Sequence, residues 1–186
     1  MAIQEKLFTL EDFEAYVDEH PELLVELIDG KIAKKITSEE RGVIIATIGS
    51  EILAFLKQNR QIKGYVSTGV SHSRPEDKHN ERKPDVSFRY ADSAASKAVA
   101  LQQMPTFAIE IRSKTNTYED LRDKAKFYIA NGTKLVWLVY PTKQIVEVYY
   151  ADGSSDLFKE SETLEGGDIL PDFHLDVAAI FATNAE

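Results

Sequence analysis

The strongest constraint in this 186-residue sequence is an almost unbroken apolar run at 134–140, KLVWLVY. A strand with one face in water alternates apolar and polar residues, whereas a run of this kind predicts a strand buried in the middle of a sheet. A helix pattern at 118–131 precedes it, with Thr117 as the N-cap and Gly132 as the stop. The order of elements along the chain therefore predicts an α/β fold, a mixed sheet flanked by helices.

Two further helices and a hairpin are predicted in the first third of the chain. Ser38 precedes a long amphipathic pattern at 39–60, and Thr9 caps a shorter helix at 10–20. Between these helices, two apolar segments flank the pair Asp29-Gly30. This pair is a strong hairpin signal, because both residues tolerate the positive φ that a tight turn requires.

The other strand patterns are separated by turns and polar connections. They lie at 63–70, 84–90, 106–112 and 144–150, and the chain closes on a short helix. The polar, proline-containing stretch 72–83 is interpreted as a loop, and the segment 92–105 as a connection that holds a short helix. No linker, repeat or low-complexity tract is apparent, so residues 1–186 are expected to form one domain.

Composition narrows the range of functions. The absence of cysteine excludes disulfides, thiolate metal sites and cysteine nucleophiles, and it fits a reducing cytoplasm. Neither a signal segment nor an apolar run of membrane-spanning length is apparent, so we expect a soluble cytoplasmic protein. The net charge of −9 argues against a surface that binds phosphates all over, although it allows a local basic patch.

Two carboxylates stand out on the predicted strands. Because side chains alternate along a strand, Asp85 and Glu110 each fall on the face opposite the apolar residues of their strand. If the two strands are neighbours, these carboxylates converge and form a hard-oxygen site that suits Mg²⁺, with Mn²⁺ as a substitute. The alternative is a solvated face on which Glu110 pairs with an Arg or Lys.

Lys124 interrupts the apolar stripe of the helix at 118–131. Leu121, Ala125 and Tyr128 mark that stripe, and Lys124 lies inside it. One interpretation is a lysine whose stem lies along the apolar surface while its ammonium pairs with Asp120. The other is an ammonium directed at the two carboxylates, where it would orient a water or stabilise charge that develops on phosphorus.

These residues carry a resemblance to a known family. Pro84-Asp85 on one strand and Glu110-Ile111-Arg112 on another resemble the PD-(D/E)XK nuclease signature. The wider set of motifs resembles the Uma-two family, also called domain of unknown function eight-twenty, whose members are restriction-endonuclease-like proteins. These motifs are ELIDG at 26–30, PDVSF at 84–88, EIRS at 110–113 and the K-x-x-x-Y-x-x-x-G spacing at 124–132. The resemblance implies a restriction-endonuclease-like mixed β-sheet flanked by helices.

The resemblance also implies roles for individual residues near the metal. Asp85 and Glu110 match the two acidic metal ligands of the superfamily, and the backbone carbonyl of Ile111 would lie beside the metal. The superfamily lysine falls at Arg112, a departure, because a planar guanidinium does not replace an ammonium freely. Lys124 matches a helical lysine of the family, so it is the candidate catalytic lysine and Arg112 is the reserve.

Glu26 matches the glutamate of the family's ELIDG motif. The resemblance implies that it reaches the metal cluster through water, while the plain alternative is a strand-edge residue before the hairpin. Basic residues surround these segments and offer a local phosphate-contacting patch, or else a solvated surface. They are Arg74, Lys78, Arg82 and Lys83 before Asp85, and Lys31, Lys34 and Lys35 on the hairpin. The histidines, His72 among them, have no metal-ligand spacing and are predicted at the surface.

The favoured hypothesis is a magnesium-dependent endonuclease that hydrolyses phosphodiester bonds of nucleic acid, with DNA as the expected substrate. The alternative is a catalytically inactive protein of the same fold that binds nucleic acid or a protein partner; the charge of −9 and Arg112 both motivate it. A homodimer is the arrangement best suited to two cuts in a duplex.

Overall fold

The computed structural model of the protein describes residues 7–91 and 102–182. Within these ranges the helices are α1 (Leu10–Glu19), α2 (Glu39–Gln58), α3 (Tyr118–Ala130) and α4 (Val177–Phe181), with one turn of 3-10 helix at Pro141–Lys143. The first strands are β1 (Val25–Ile28), β2 (Lys31–Lys34), β3 (Gly64–Ser67), β4 (His72–Arg74), β5 (Asp77–Arg82) and β6 (Val86–Tyr90). The later strands are β7 (Phe107–Ile111), β8 (Leu135–Tyr140), β9 (Ile145–Tyr150), β10 (Ser155–Phe158), β11 (Thr163–Gly166) and β12 (Leu170–Asp176). The short helix predicted within 92–105 falls mostly outside the described residues.

A six-stranded mixed sheet forms the centre of the fold, in the order β10-β9-β8-β7-β6-β3. Strands β7 and β8 are parallel, and their neighbours in this sheet run antiparallel. Helix α3 connects the parallel pair, as a crossover between parallel strands requires. All six residues of β8 are buried, so the predicted central strand and the mixed sheet flanked by helices are confirmed.

The alternation along β7 assigns its two faces to different helices. Phe107, Ile109 and Ile111 join a large core with α2 and α4, whereas Ala108 packs with α3. Glu110 is on the same side as Ala108 and therefore faces α3. The α2 helix packs through Ile44, Ile48 and other members of its predicted stripe.

The helix caps and the tight turn that the sequence predicts are present in the structure. The hydroxyls of Thr9 and Thr117 each accept a hydrogen bond from the third residue of the following helix in a complete capping box, and Ser38 caps α2. The turn between β1 and β2 places Asp29 and Gly30 at φ values of 49° and 75°. Helix and turn chemistry is local, so it can be read from neighbouring residues.

The prediction of a loop over 72–83 is wrong. This stretch forms the β4–β5 hairpin, which extends the hairpin of β1 and β2 into a second sheet of order β2-β1-β5-β4. Its side chains do not alternate between apolar and polar, because the buried ones are held by polar contacts instead. Asn80 accepts from the Asp29 N–H at 3.0 Å and from Arg82 Nη2 at 2.9 Å.

His72 is buried, which corrects its predicted surface position. Its side chain is fully enclosed, with Nδ1 2.9 Å from the carbonyl of Gln103 and Nε2 3.3 Å from Ser87 Oγ on β6. Burial, reinforced by the nearby charge of Arg89, lowers the pKa of His72 from 6.5 to about 4. The neutral ring therefore joins the small sheet to the large one.

Among the described residues, no helix has both the length and the apolar character needed to cross a bilayer.

The buried His72 predicts a loss of stability in mild acid. Between pH 6.5 and about pH 4 the unfolded chain binds a proton at this position and the folded protein does not. The free energy of unfolding should therefore fall as pH is lowered through this window, by up to about 1.4 kcal/mol per pH unit. Urea unfolding of the parent and of His72→Gln at several pH values measures the difference, which should be a shallower slope in the variant. His174→Gln changes an exposed histidine and should keep the parental slope; equal slopes in all three proteins would contradict the assignment.

Candidate functional site

Four side chains named by the sequence come together between the two sheets and α3. Asp85 immediately precedes β6, where its N–H donates to the carbonyl of Ile109 on β7 at 3.0 Å. Glu110 lies in β7, Lys124 in the middle of α3, and Glu26 in β1. All four are buried, with exposed fractions of 1–8%. The predicted adjacency of the strands at 84–90 and 106–112 is thus present: Glu110 faces Tyr128 of α3, and Asp85, at the start of β6, contacts Arg41 of α2.

Asp85 is held by an arginine that the sequence did not single out. Arg41, in the first turns of α2, donates from Nη2 to both carboxylate oxygens at 2.6 and 2.8 Å, and from Nε to Oδ2 at 3.2 Å. Its remaining nitrogen, Nη1, donates to the carbonyl of Ile36 at 2.8 Å. Asp85 Oδ2 also accepts from the N–H of Ile111 at 2.8 Å. These contacts fix the orientation of the Asp85 carboxylate.

Lys35 lies between the two predicted metal ligands. Its ammonium is 3.1 Å from Asp85 Oδ1 and 3.3 Å from Glu110 Oε2, and only 5% of its side chain is exposed. It also donates to the carbonyl of Lys83. Burial alone would lower the pKa of Lys35, but the three neighbouring carboxylates outweigh burial and raise that pKa above its usual value. One cation therefore contacts both carboxylates at once.

Lys124 lies on the other side of Glu110. Its ammonium is 2.5 Å from Glu26 Oε2 and 3.4 Å from each carboxylate oxygen of Glu110. Glu26 is positioned in turn by the N–H of Lys83, which donates to its Oε1 at 2.7 Å. Of the two interpretations of Lys124, the structure has the ammonium directed at the carboxylates; Asp120 instead caps α3 through Thr117.

Glu110 is contacted by two ammonium groups and a buried hydroxyl. Tyr128, fully buried on α3, donates its hydroxyl to Glu110 Oε1 at 3.0 Å. Burial alone would raise the pKa of Glu110, but Lys124 and Lys35 outweigh burial and lower that pKa to about 2. The carboxylate is therefore ionised across the physiological range, as a metal ligand must be.

Positive and negative charges alternate through the site. In order they are Glu26, Lys124, Glu110, Lys35, Asp85 and Arg41. We call this set the charge chain. Its three carboxylates and three cations balance, which satisfies the requirement that buried charges be paired. The overall charge of −9 therefore lies elsewhere on the protein.

Two residues that the sequence predicted for the site, Arg112 and Ile111, are not members of the charge chain. Arg112 makes no ion pair with the carboxylates of the charge chain and stacks its guanidinium over Tyr118, 4.3 Å from the ring centroid. Ile111 is adjacent to it, because its N–H donates to Asp85; the carbonyl of a strand residue points to the same side as its N–H, so it faces Asp85 too. Arg112 is thus outside the cluster, and Ile111 is at its edge.

The sequence patterns did not assign three residues to the site: Lys35, Arg41 and Tyr128. A signal for Arg41 was available, since it lies three residues before Ile44 in the buried stripe of α2, just as Lys124 lies in the stripe of α3. In the sequence, Lys35 is one of several hairpin lysines. No local pattern distinguishes it from Lys34, whose side chain is exposed.

The oxygen atoms predicted to hold a metal have the chemistry that Mg²⁺ prefers. Two carboxylates and a backbone carbonyl, from Asp85, Glu110 and Ile111, form a hard-oxygen set. Within residues 7–91 and 102–182, no three His, Cys, Asp or Glu side chains are grouped as ready-made metal ligands. The two carboxylates nevertheless share one cation, the Lys35 ammonium, so they fit a shared divalent ion if Lys35 withdraws along its flexible stem.

Comparison with known proteins agrees with this architecture. The model of the Uma2 (Uma-two) family, described as "Putative restriction endonuclease", matches residues 10–178. The crystal structure of a "putative nuclease belonging to DUF820" from Anabaena variabilis superposes with a TM-score of 0.78. That alignment has 20% sequence identity and covers 94% of this chain and 97% of the other, so it establishes the fold. No curated protein matches the chain.

The charge chain predicts a large stability cost for removing Lys124. Lys124→Met leaves Glu26 and Glu110 buried with less compensation, so the free energy of unfolding should fall by about 3–5 kcal/mol. Lys126→Met, on the same helix, removes a lysine that is 62% exposed and should change stability by no more than about 0.5 kcal/mol. Urea unfolding at neutral pH measures both. A similar small effect from the two substitutions would show that the Lys124 contacts contribute little.

Proposed function

Since this chain belongs to the Uma2 family of restriction-endonuclease-like proteins, we propose that it is a divalent-metal-dependent nuclease that hydrolyses phosphodiester bonds of nucleic acid, with DNA as the expected substrate. The observation that carries the proposal is the convergence of Asp85 and Glu110 on one shared cation, with a second buried ammonium, Lys124, on the far side of Glu110. Two anions and a cation in this order match the requirements of phosphodiester hydrolysis. The anions hold a metal, and the cation stabilises charge on phosphorus.

The residues proposed to hold Mg²⁺ or Mn²⁺ are Asp85, Glu110 and the Ile111 carbonyl. When bound, such an ion polarises the scissile phosphate and lowers the pKa of a coordinated water. Arg41 keeps the Asp85 carboxylate in one orientation through three hydrogen bonds, and the Tyr128 hydroxyl does the same for Glu110. Ligands fixed in this way need little rearrangement, which favours binding.

Lys124 is proposed as the catalytic lysine. Its ammonium is held by Glu26 at 2.5 Å and reaches Glu110 at 3.4 Å, so it lies beside the proposed metal ligands without belonging to them. From there it would orient the attacking water or stabilise the negative charge that develops on the phosphate. Glu26 acts through Lys124 as a positioning residue.

Lys35 is proposed to exchange with the metal ion. Both are cations that depend on the same two carboxylates, and a divalent ion beside a buried ammonium would meet strong repulsion. Lys35 directly follows β2 and has a long flexible side chain, so we propose that its ammonium withdraws by rotation of that side chain. In this view Lys35 neutralises the carboxylates of the metal-free protein.

The neutralisation of the Asp85 and Glu110 carboxylates by cations of the protein also favours a second candidate function. The carboxylates of Asp85 and Glu110 are saturated by Arg41, Lys35 and Lys124, which is also what a fold that binds nucleic acid or a protein partner without cleaving would show. Titration with Mn²⁺ separates the two candidates. Binding that requires Asp85 supports the nuclease, and absence of binding at millimolar concentration supports the non-cleaving protein.

Substitution of the proposed metal ligand Asp85 tests the nuclease directly. Asp85→Asn should abolish calorimetric Mn²⁺ binding and reduce the nicking of supercoiled plasmid to below about one-hundredth of the parental rate, because an essential charge at the transition state is lost. Asp123→Asn makes the same chemical change on an exposed aspartate of α3 and should leave both unchanged. Cleavage by Asp85→Asn at the parental rate would rule the proposed mechanism out.

Substitution of Lys35 tests the exchange with the metal. Lys35→Met leaves its two carboxylates free for another cation, so the dissociation constant for Mn²⁺ should fall at least about tenfold. This is a conservative figure, since removing one charge at about 4 Å is worth up to about 4 kcal/mol and tenfold needs only about 1.4 kcal/mol. Lys34→Met, one residue away and exposed, is the matched control. An unchanged or weaker affinity in Lys35→Met would show that Lys35 does not compete with the metal.

A further inference from the structure

A cavity lies directly beside the charge chain, at the end of β7 and the start of α2. Its volume is about 140 Å³, and its lining includes Arg112, Lys114, Arg41, Ser38 and Glu40. A cavity of this volume exceeds what one water molecule needs, so it has room for a small anion such as a phosphate group. We call it the basic pocket.

Two cations of the basic pocket have no anionic partner in the part of the chain that the structure describes. Arg112 stacks on Tyr118, and its Nε is buried without a hydrogen-bond acceptor. Lys114, on the loop after β7, is exposed and makes no ion pair with a described residue. Unlike the cations of the charge chain, Arg112 and Lys114 have no ion pair with a described residue that an external anion would have to displace, and both side chains are at least partly exposed.

The local charge of the basic pocket is positive, in contrast to the protein as a whole. Arg41 also lines it, but Asp85 neutralises that guanidinium through a bidentate contact. Glu40 is the opposing carboxylate of the lining. Arg112 and Lys114 outnumber it, so one net positive charge is left at a concave site of a protein with a net charge of −9. A concave site with excess positive charge attracts and orients an anion.

The position of the basic pocket relates it to the proposed chemistry. Arg41 forms part of the pocket wall and holds both oxygens of Asp85, so a single guanidinium separates an anion in the pocket from the proposed metal ligand. The pocket also lies beyond the carboxyl ends of the parallel strands β7 and β8, where α/β sheets commonly bind their ligands. Arg112 suits this position because its planar fork binds two phosphate oxygens together.

We propose that the basic pocket binds a backbone phosphate of the nucleic-acid substrate next to the scissile one, through the Arg112 guanidinium and the Lys114 ammonium. The identity of this ligand rests on the proposed function, since the substrate class is taken from it. Arg112 then has a binding role outside the charge chain, which accounts for its lack of an ion pair with Asp85 or Glu110. The pocket also provides a local phosphate contact that the total charge conceals.

The test is metal-free DNA binding as a function of salt. The parent protein, Arg112→Gln and Lys114→Gln are titrated into a fluorescently labelled DNA duplex in EDTA, between about 50 and 200 mM salt. Each variant should bind on the order of tenfold more weakly at about 100 mM salt. The negative slope of log affinity against log salt should become shallower by about 1, because one phosphate contact is lost. Lys57→Gln, at the far end of α2, makes the same charge change as Lys114→Gln and serves as the control.

Conservative substitution separates binding from folding. Arg112→Lys keeps the charge and loses the fork, so it should retain the parental salt slope and bind more weakly than the parent. Lys114→Gln alters an exposed side chain and should unfold at the parental urea concentration, which keeps the test valid even if Arg112→Gln is unstable. Binding by Lys114→Gln that equals binding by Lys57→Gln would overturn the proposal, and so would a parent that does not bind DNA in EDTA.

The outcomes also distinguish this proposal from the nuclease itself. If the pocket substitutions weaken binding but the parent does not nick DNA with Mn²⁺, the basic pocket stands and the nuclease fails. If the parent nicks DNA and the pocket variants bind like the control, only the pocket fails. Titration of inorganic phosphate alone is the last arm: binding that Arg112→Gln removes, without any effect on DNA binding, would reassign the pocket to free phosphate and overturn the proposal.

Discussion

The ion pair network between the two sheets and α3 is the interaction on which the rest of the structure depends. Glu26, Glu110 and Asp85 lie almost completely out of water, where unpaired carboxylates would be very costly. Each is paired with a cation from a different part of the chain: Lys124 is 98 positions from Glu26, Lys35 is 75 from Glu110, and Arg41 is 44 from Asp85. The network therefore links the hairpin, α2, α3 and the central sheet, and these elements must all be in place before every one of the charges is paired.

The same network relates stability to the proposed activity. A metal-free protein needs internal cations at these carboxylates, whereas an active nuclease needs the carboxylates for its metal. Lys35 meets both requirements if it can leave, because it bridges the two proposed ligands from a flexible stem, while Arg41 and Tyr128 hold those ligands from rigid helices. The unpaired cations of the basic pocket lie on the other side of Arg41, so neutral and positively charged regions are adjacent within one site.

Much of the fold was accessible from local sequence patterns. The capping boxes at Thr9 and Thr117, the Asp29-Gly30 turn and the apolar run of β8 each report on neighbouring residues, and each has the predicted structure. Alternation along β6 and β7 also predicted which side chains share a face with Asp85 and Glu110. The hairpin at 72–83 was not predicted because polar contacts, rather than an alternating apolar face, hold its buried side chains; Asn80, for example, is held by the Asp29 N–H and by Arg82. His72 was misplaced for the same reason, since its partners Ser87 and Gln103 are distant in sequence.

The sequence by itself was sufficient to identify the two carboxylates, the strand faces on which they lie, and the unusual position of Lys124 within an apolar stripe. Spacing along a single element decides all three. Only the tertiary structure decided which cations neutralise them. Lys35 and Lys34 are neighbours in the sequence, yet one ammonium is buried between Asp85 and Glu110 and the other is exposed. Likewise Arg112, at the position of the motif lysine, turns towards Tyr118 instead of the site. Ion pairs between remote segments depend on how the elements pack, and no period in the sequence encodes that packing.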